Sequence, residues 1–254
     1  FFDRFNPSRV LPLKKWKEAS SPEPDVLSPS MDKPVSDVIL ASHVHLTPIA
    51  STRPLFRFGA LYRAELKLLL KGQHWWWYAA TLGLIIAQFA SELESARILL
   101  AGTWLWPILL LSGLGSREVR HNTYQIVFSA PRPILHQLPA MWLAAFTLIA
   151  LMGSGAFLNF LLAGETTSLL AWLSGALFIP SLALAVGVLT GSSKAFEVIY
   201  VIWMYIIVQK VPALDFVGVV SDSPWYVYAL LALALCTLCA FARQRQWGTR
   251  HISG

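Results

Sequence analysis

Charged side chains are scarce. Asp, Glu, Lys and Arg make up 13% of the sequence, about half of the ~25% carried by soluble domains. With 56% of the residues apolar, that shortage excludes an ordinary water-soluble fold. Cysteine is almost absent: Cys236 and Cys239 stand together in one apolar run. They lack the second ligand pair and the polar setting that a zinc or redox C-x-x-C requires, so they read as small lipid- or helix-facing residues.

The motifs of bond-making chemistry are missing too. The sequence contains no H-E-x-x-H and no G-x-S-x-G elbow, which removes the common metalloprotease and serine-hydrolase designs. LSGLG (111–115) and GSSK (191–194) end apolar runs without the glycine framework of a phosphate-binding loop. No cofactor, metal or catalytic site is expected, and no enzymatic activity. His43 and His45 flank Val44 with no further ligand nearby and read as surface histidines. Ionisable groups, the mark of an ion-coupled carrier, are nearly missing from the apolar runs. Glu197 is the exception, one helical turn from Lys194, and reads as half of a juxtamembrane ion pair.

What is present points to a polytopic membrane protein. Mean hydropathy is +0.55, with eleven tryptophans. The net charge of +6 forms no basic stripe: residues 1–73 hold eleven Lys/Arg against seven Asp/Glu, and residues 74–254 nine against seven. Lipid headgroups and topology account for it, and nucleic acid is not an expected partner. The chain begins Phe-Phe, without Met or a signal-peptide pattern, and reads as part of something longer.

Residues 5–54 carry eight of the fifteen prolines and the low-complexity stretch SSPEPDVLSPS, so 1–54 reads as a cytoplasmic, largely disordered tether. From 57 to 73 a helical period appears. Phe58, Leu61, Tyr62, Leu66 and Leu69 share one side, and Arg63, Lys67 and Lys71 recur on another. An interfacial helix on an anionic leaflet fits this pattern. Trp75, Trp76, Trp77 and Tyr78 follow as an aromatic belt.

Six apolar runs come next, near 76–90, 98–114, 138–162, 169–189, 196–211 and 225–242. The expectation is an all-α fold of six transmembrane helices behind a cytoplasmic amphipathic helix, the domain covering 55–245 and a tail 246–254. Several runs are shorter than the ~20 residues of a perpendicular span. Arg117, Arg120, Arg132, Lys194, Arg243, Arg245 and Arg250 fall on one side, Arg97 and Lys210 on the other, which places both ends in the cytoplasm. Gln88, Thr147, Ser154, Asn159 and Ser181 read as helix-to-helix hydrogen-bonding groups. Gly153, Gly155, Gly187 and Gly191 read as close-packing positions. The outer stretch 212–224 is apolar at its centre and is either re-entrant or a plain loop.

The polar loop 113–139 is the one sizeable inner loop. It carries an apolar patch, Ile126, Val127 and Phe128, between Asn122-Thr123, a candidate N-cap, and Pro131. That pattern describes a short helix offered at the membrane surface to something in the water.

This order of elements resembles the permease subunits of type-2 ATP-binding-cassette (ABC) exporters. The residues that carry the resemblance are Arg117-Glu118, Asn122-Thr123, Phe128-Ser129-Ala130-Pro131 and Leu138-Pro139, within 55–245. The resemblance implies that 57–73 is the connecting helix and that 117–131 is a coupling helix seated on a separate ATPase subunit. Contacts would then come from Arg117, Glu118, Arg120, Thr123, Ile126, Val127, Phe128 and Pro131. It further implies a re-entrant element in 212–224 and a second permease half, as a homodimer, heterodimer or fused upstream half, in the plasma (bacterial inner) membrane. The long proline-rich tether departs from the pattern. An ion-coupled carrier and a non-transporting membrane scaffold are the alternatives.

Overall fold

The computed structural model describes residues 58–120, 133–220 and 223–251. The tether 1–54 and the centre of the inner loop, with Thr123, Ile126, Val127, Phe128 and Pro131, lie outside the described residues. Everything regular among those described is helical. In chain order the helices are α1 (Phe58–Leu70), α2 (Trp75–Ala90), α3 (Leu93–Leu105), α4 (Ile108–Ser112), α5 (Arg117–Arg120), α6 (Pro133–Met152), α7 (Ser154–Ala163), α8 (Thr166–Thr190), α9 (Ser193–Val208) and α10 (Trp225–His251). A 3-10 turn, Pro212–Leu214, lies between α9 and α10.

Each of the six apolar runs falls on helix, but they differ in reach. Thr166–Thr190 and Trp225–Arg245 are long and apolar enough to cross a membrane, and His136–Met152 with Ser154–Ala163 makes a third candidate if the bent pair is one span. The 16-residue helices α2 and α9 are each about 24 Å long at ~1.5 Å per residue, short of a ~30 Å hydrocarbon core. The 98–114 run is cut between α3 and α4 at Pro107, which has no N–H for the helix ladder.

The chain alternates between two ends of the bundle. At one end Arg97 donates to Ser168 Oγ at 2.8 Å and lies 3.8 Å from Glu165, while Asn159 Nδ2 donates to the Ser91 carbonyl at 2.7 Å. At the other end Glu65 meets Arg117, and Leu114 and Gly115 press on Leu184, Gly187 and Val188. Arg97 is therefore no loop charge: it is buried and engaged.

The bend of 59° between α6 and α7 has an identifiable cause. Ala156 N–H is directed to Gln88 Oε1 at 3.0 Å, while Gln88 Nε2 donates to Met152 O at 3.2 Å and to Thr103 Oγ1 at 2.7 Å. The amide of Gln88 thus stands in for the helical bond from Ala156 to Met152. Two indoles donate to carbonyls beside the break, Trp104 to Ile149 O and Trp172 to Gly153 O, and both carbonyls also keep their helical bonds from the N–H groups of Gly153 and Phe157. Side chains inserted into a helix ladder are a recognised origin of kinks. Gly155 is required alongside, since a Cβ there would lie 2.0 Å from the Ile85 carbonyl.

Gln88, Asn159, Thr147 and Ser181, expected to link helices, do so. Asn159 Nδ2 reaches the carbonyls of Gln88 and Phe89, two of the orphan acceptors at the end of α2. Thr147 accepts from Tyr62, and Ser181 from Trp142. Cys236 contacts Ser181 and Cys239 is buried; neither forms a disulfide. Gly191 differs from the expectation of close packing: it ends α8 in the left-handed region at φ 65°, its N–H bonded to Gly187 O.

Candidate functional site at the loop-bearing end

The inner loop is rooted in α5 on one side and α6 on the other, and the described residues show what those roots are tied to. Helix α1 lies along α6. Its apolar stripe packs inward, with Leu69 in the core and Tyr62 and Leu66 against it. Tyr62 Oη donates to Thr147 Oγ1 at 3.0 Å. Arg63, Lys67 and Lys71 are exposed, where a helix on a membrane surface would present them to anionic headgroups.

Glu65 breaks the pattern of α1. It is 7% exposed, and its carboxylate lies 3.7 Å from Arg117 Nη1 at the start of α5. The signal was available: Glu65 is the sole acidic residue of 57–73, and its spacing from Tyr62 and Leu69 puts it on the apolar side. Arg117, expected to face a partner, is partly spent on this bond within the chain. Burial of the pair is incomplete, with the Arg117 side chain 28% exposed, so the contact orients α5 more than it stabilises the fold.

A second clamp holds the same root from behind. Gly115 has φ 79°, and a Cβ on it would approach the Leu184 carbonyl to 2.8 Å. A Cβ on Gly187 would lie 1.9 Å from the Leu114 carbonyl. Two glycines facing each other's backbones let the end of the second run lie directly on α8. Beside them Lys194 Nζ bonds Glu197 Oε2 at 2.6 Å, the ion pair expected at this edge, and Ser112 and Arg120 act on the same carboxylate.

Between α1, α4, α5 and α6 a cavity of about 660 Å³ opens, its polar rim formed by Glu65, Lys71, Arg117, Arg120 and Gln137. Arg120 is exposed. Glu118 lies in α5, its side chain outside the described set. Trp75 and Trp76 are 78% and 54% exposed, whereas Trp77 is 8% exposed and packs on Leu148 and Met152. The belt is thus two tryptophans and Tyr78, because the third indole is turned into the bundle by the ~100° step per helical residue. Among the described residues no group of three or more His, Cys, Asp or Glu is placed to hold a metal ion.

At the opposite end the centre of the irregular stretch after α9, residues 215–218, is buried. Asp215, fully buried, accepts from the N–H groups of Val217, Gly218 and Val220 at 3.1, 2.9 and 2.7 Å. Trp203 Nε1 donates to Leu214 O and Tyr228 Oη to Ala213 O, so the exposed backbone of the turn is satisfied by protein. Phe216 packs on Phe178, Tyr200, Trp203 and Tyr228. Phe178 lies about 18 Å along α8 from its first residue, so the segment dips to the middle of that helix. Sequence reading left this stretch open; the signal was Asp215 followed by Gly218, an acceptor and a residue free to take φ 81°.

No protein-family model matches this chain, and neither the curated proteins nor the solved structures contain a match. The functional reading therefore rests on the residues and their geometry.

Proposed function

We propose that this chain is the membrane-spanning permease subunit of a type-2 ABC exporter, a multi-pass protein of the plasma (bacterial inner) membrane. It forms part of a translocation pathway with a second permease half. It has no ATPase site of its own and is driven by a separate ATPase subunit seated on the loop 115–137. The observation that carries the reading is the double attachment of the loop's root, to α1 through Glu65–Arg117 and to α8 through Gly115 and Gly187. A motor acting on a surface loop biases a bundle only if the loop's displacement is shared by the spans, and here the root is continuous with the most buried helix, α8.

The alternative of an ion-coupled carrier finds less support. Three described buried charges are engaged within the chain: Arg97 with Ser168, Glu65 with Arg117 and Asp215 with backbone N–H groups. Protonating Asp215 would sacrifice the bonds that shape its own loop.

Within this reading Glu118 and Phe128 contact the ATPase, the carboxylate as a charge partner and the ring as an apolar anchor. Glu118→Ala and Phe128→Ala are expected to weaken co-purification of the ATPase, Phe128→Ala by roughly 30-fold or more, the ~2 kcal/mol scale of an interface anchor. Membrane insertion should be unaffected. Affinity purification with measurement of transport and ATP hydrolysis checks this, and normal values for both variants would refute the coupling assignment.

A further inference from the structure

A cleft of about 430 Å³ runs between α3 and α9. Its walls are apolar, with Ile98 and Leu105 on α3 facing Val201 and Val208 on α9, and many of its side chains look outward. Tyr200 Oη donates to the Trp104 carbonyl at 3.1 Å, which pins the two helices together where the cleft closes. Gly102 opens its middle: a Cβ built there meets nothing within 4 Å.

The cleft has a direction. From Val201 to Val208 it follows α9 for about 10 Å at ~1.5 Å per residue and then reaches the turn at Lys210, which keeps it within the ~15 Å of one leaflet. Its far end is polar. Lys210 and Tyr205 line it, and Gln209 Nε2 donates to Tyr205 Oη at 3.0 Å. Lys210 holds φ 56°, the left-handed region, in the turn that ends α9. An apolar slot within one leaflet, capped by an ammonium and a phenol at the level where α9 ends, matches a chain bearing a phosphate.

We propose that this cleft binds one phospholipid, its acyl chain along Gly102 and its phosphate against Lys210. The proposal rests on the membrane reading and not on the coupling to an ATPase. A binding slot differs from bulk lipid contact in depending on single residues inside it.

The test uses the full chain in lipid nanodiscs that contain phosphatidylglycerol carrying a photoreactive diazirine in its acyl chain. Labelled peptides are mapped by mass spectrometry. Label is expected to concentrate on the peptides around Gly102 and Val201 and to be abolished there by Gly102→Trp, which fills the slot. Lys210→Gln should lower it about fivefold, the worth of one lysine at an anionic surface, with thermal midpoint unchanged in both variants. Label spread evenly over α2, α7 and α10 and indifferent to both substitutions would overturn the proposal. So would a cross-link between two copies of the chain at the cleft. Label on no helix at all would instead refute membrane embedding, which separates the two failures.

Discussion

Replacing Gln88 with leucine is expected to lower stability by about 2–5 kcal/mol, because it leaves Ala156 N–H and Met152 O buried without partners at about 1–3 kcal/mol each. That is a large share of the ~5–15 kcal/mol by which domains are stable. Leucine is close to glutamine in size, so the effect comes from the lost amide and not from a cavity. With it the break between α6 and α7 loses the group that makes it tolerable, and the 59° bend no longer has a cause. The thermal midpoint in detergent should fall by roughly 10 °C. Thr103→Val removes one acceptor of the same amide and should cost clearly less. A Gln88→Leu protein as stable as the parent would mean that the bend is held by packing alone.

Gly187→Val should have the second largest effect, and it bears on function. The added Cβ would stand 1.9 Å from the Leu114 carbonyl and 3.3 Å from Gly115 C, and neither is a side-chain end that can swing aside. The root of the inner loop must therefore lift off α8. Overpacking of this kind costs at least about 1–3 kcal/mol, and here it also cuts the attachment through which the loop reaches the bundle. Transport should be lost while ATP hydrolysis by the associated ATPase continues. Gly83→Ala is the matched control, since a Cβ there meets nothing within 4 Å and alanine favours the helix. Transport that survives Gly187→Val at normal expression would remove α8 from the coupling route.

The helical segments were legible in the sequence because hydrophobic runs report burial directly, but the 98–114 run was not expected to break at Pro107. The sharpest bend was not legible. Pro139 and Pro180 lie within helices that continue, while the break falls at Gly153, where an amide from a distant helix takes the Ala156 N–H and the Met152 carbonyl. Such a contact is long-range and leaves no local pattern. Arg97 was expected as a loop charge for a related reason: a charge count cannot see that a partner waits across the bundle. Of the six expected crossings, two helices, or three with the bent pair, are long and apolar enough to span by themselves, while α2, α3, α4 and α9 are shorter than a full span. At the candidate site the basic residues of α1 were read from spacing alone. The glycine contacts that fix α5 to α8 depend on which helices become neighbours, and only the fold supplies that.

The central claim is that the inner loop receives force from an ATPase in the cytoplasm. A photoreactive amino acid placed at Phe128 and activated in intact cells tests it most directly, with the adduct identified by mass spectrometry. The account predicts one dominant adduct, to a protein carrying a phosphate-binding loop, that is lost in the Glu118→Ala background. Adducts only to lipid or to extracellular proteins, or labelling of Phe128→Cys by an impermeant reagent from outside the cell, would contradict it.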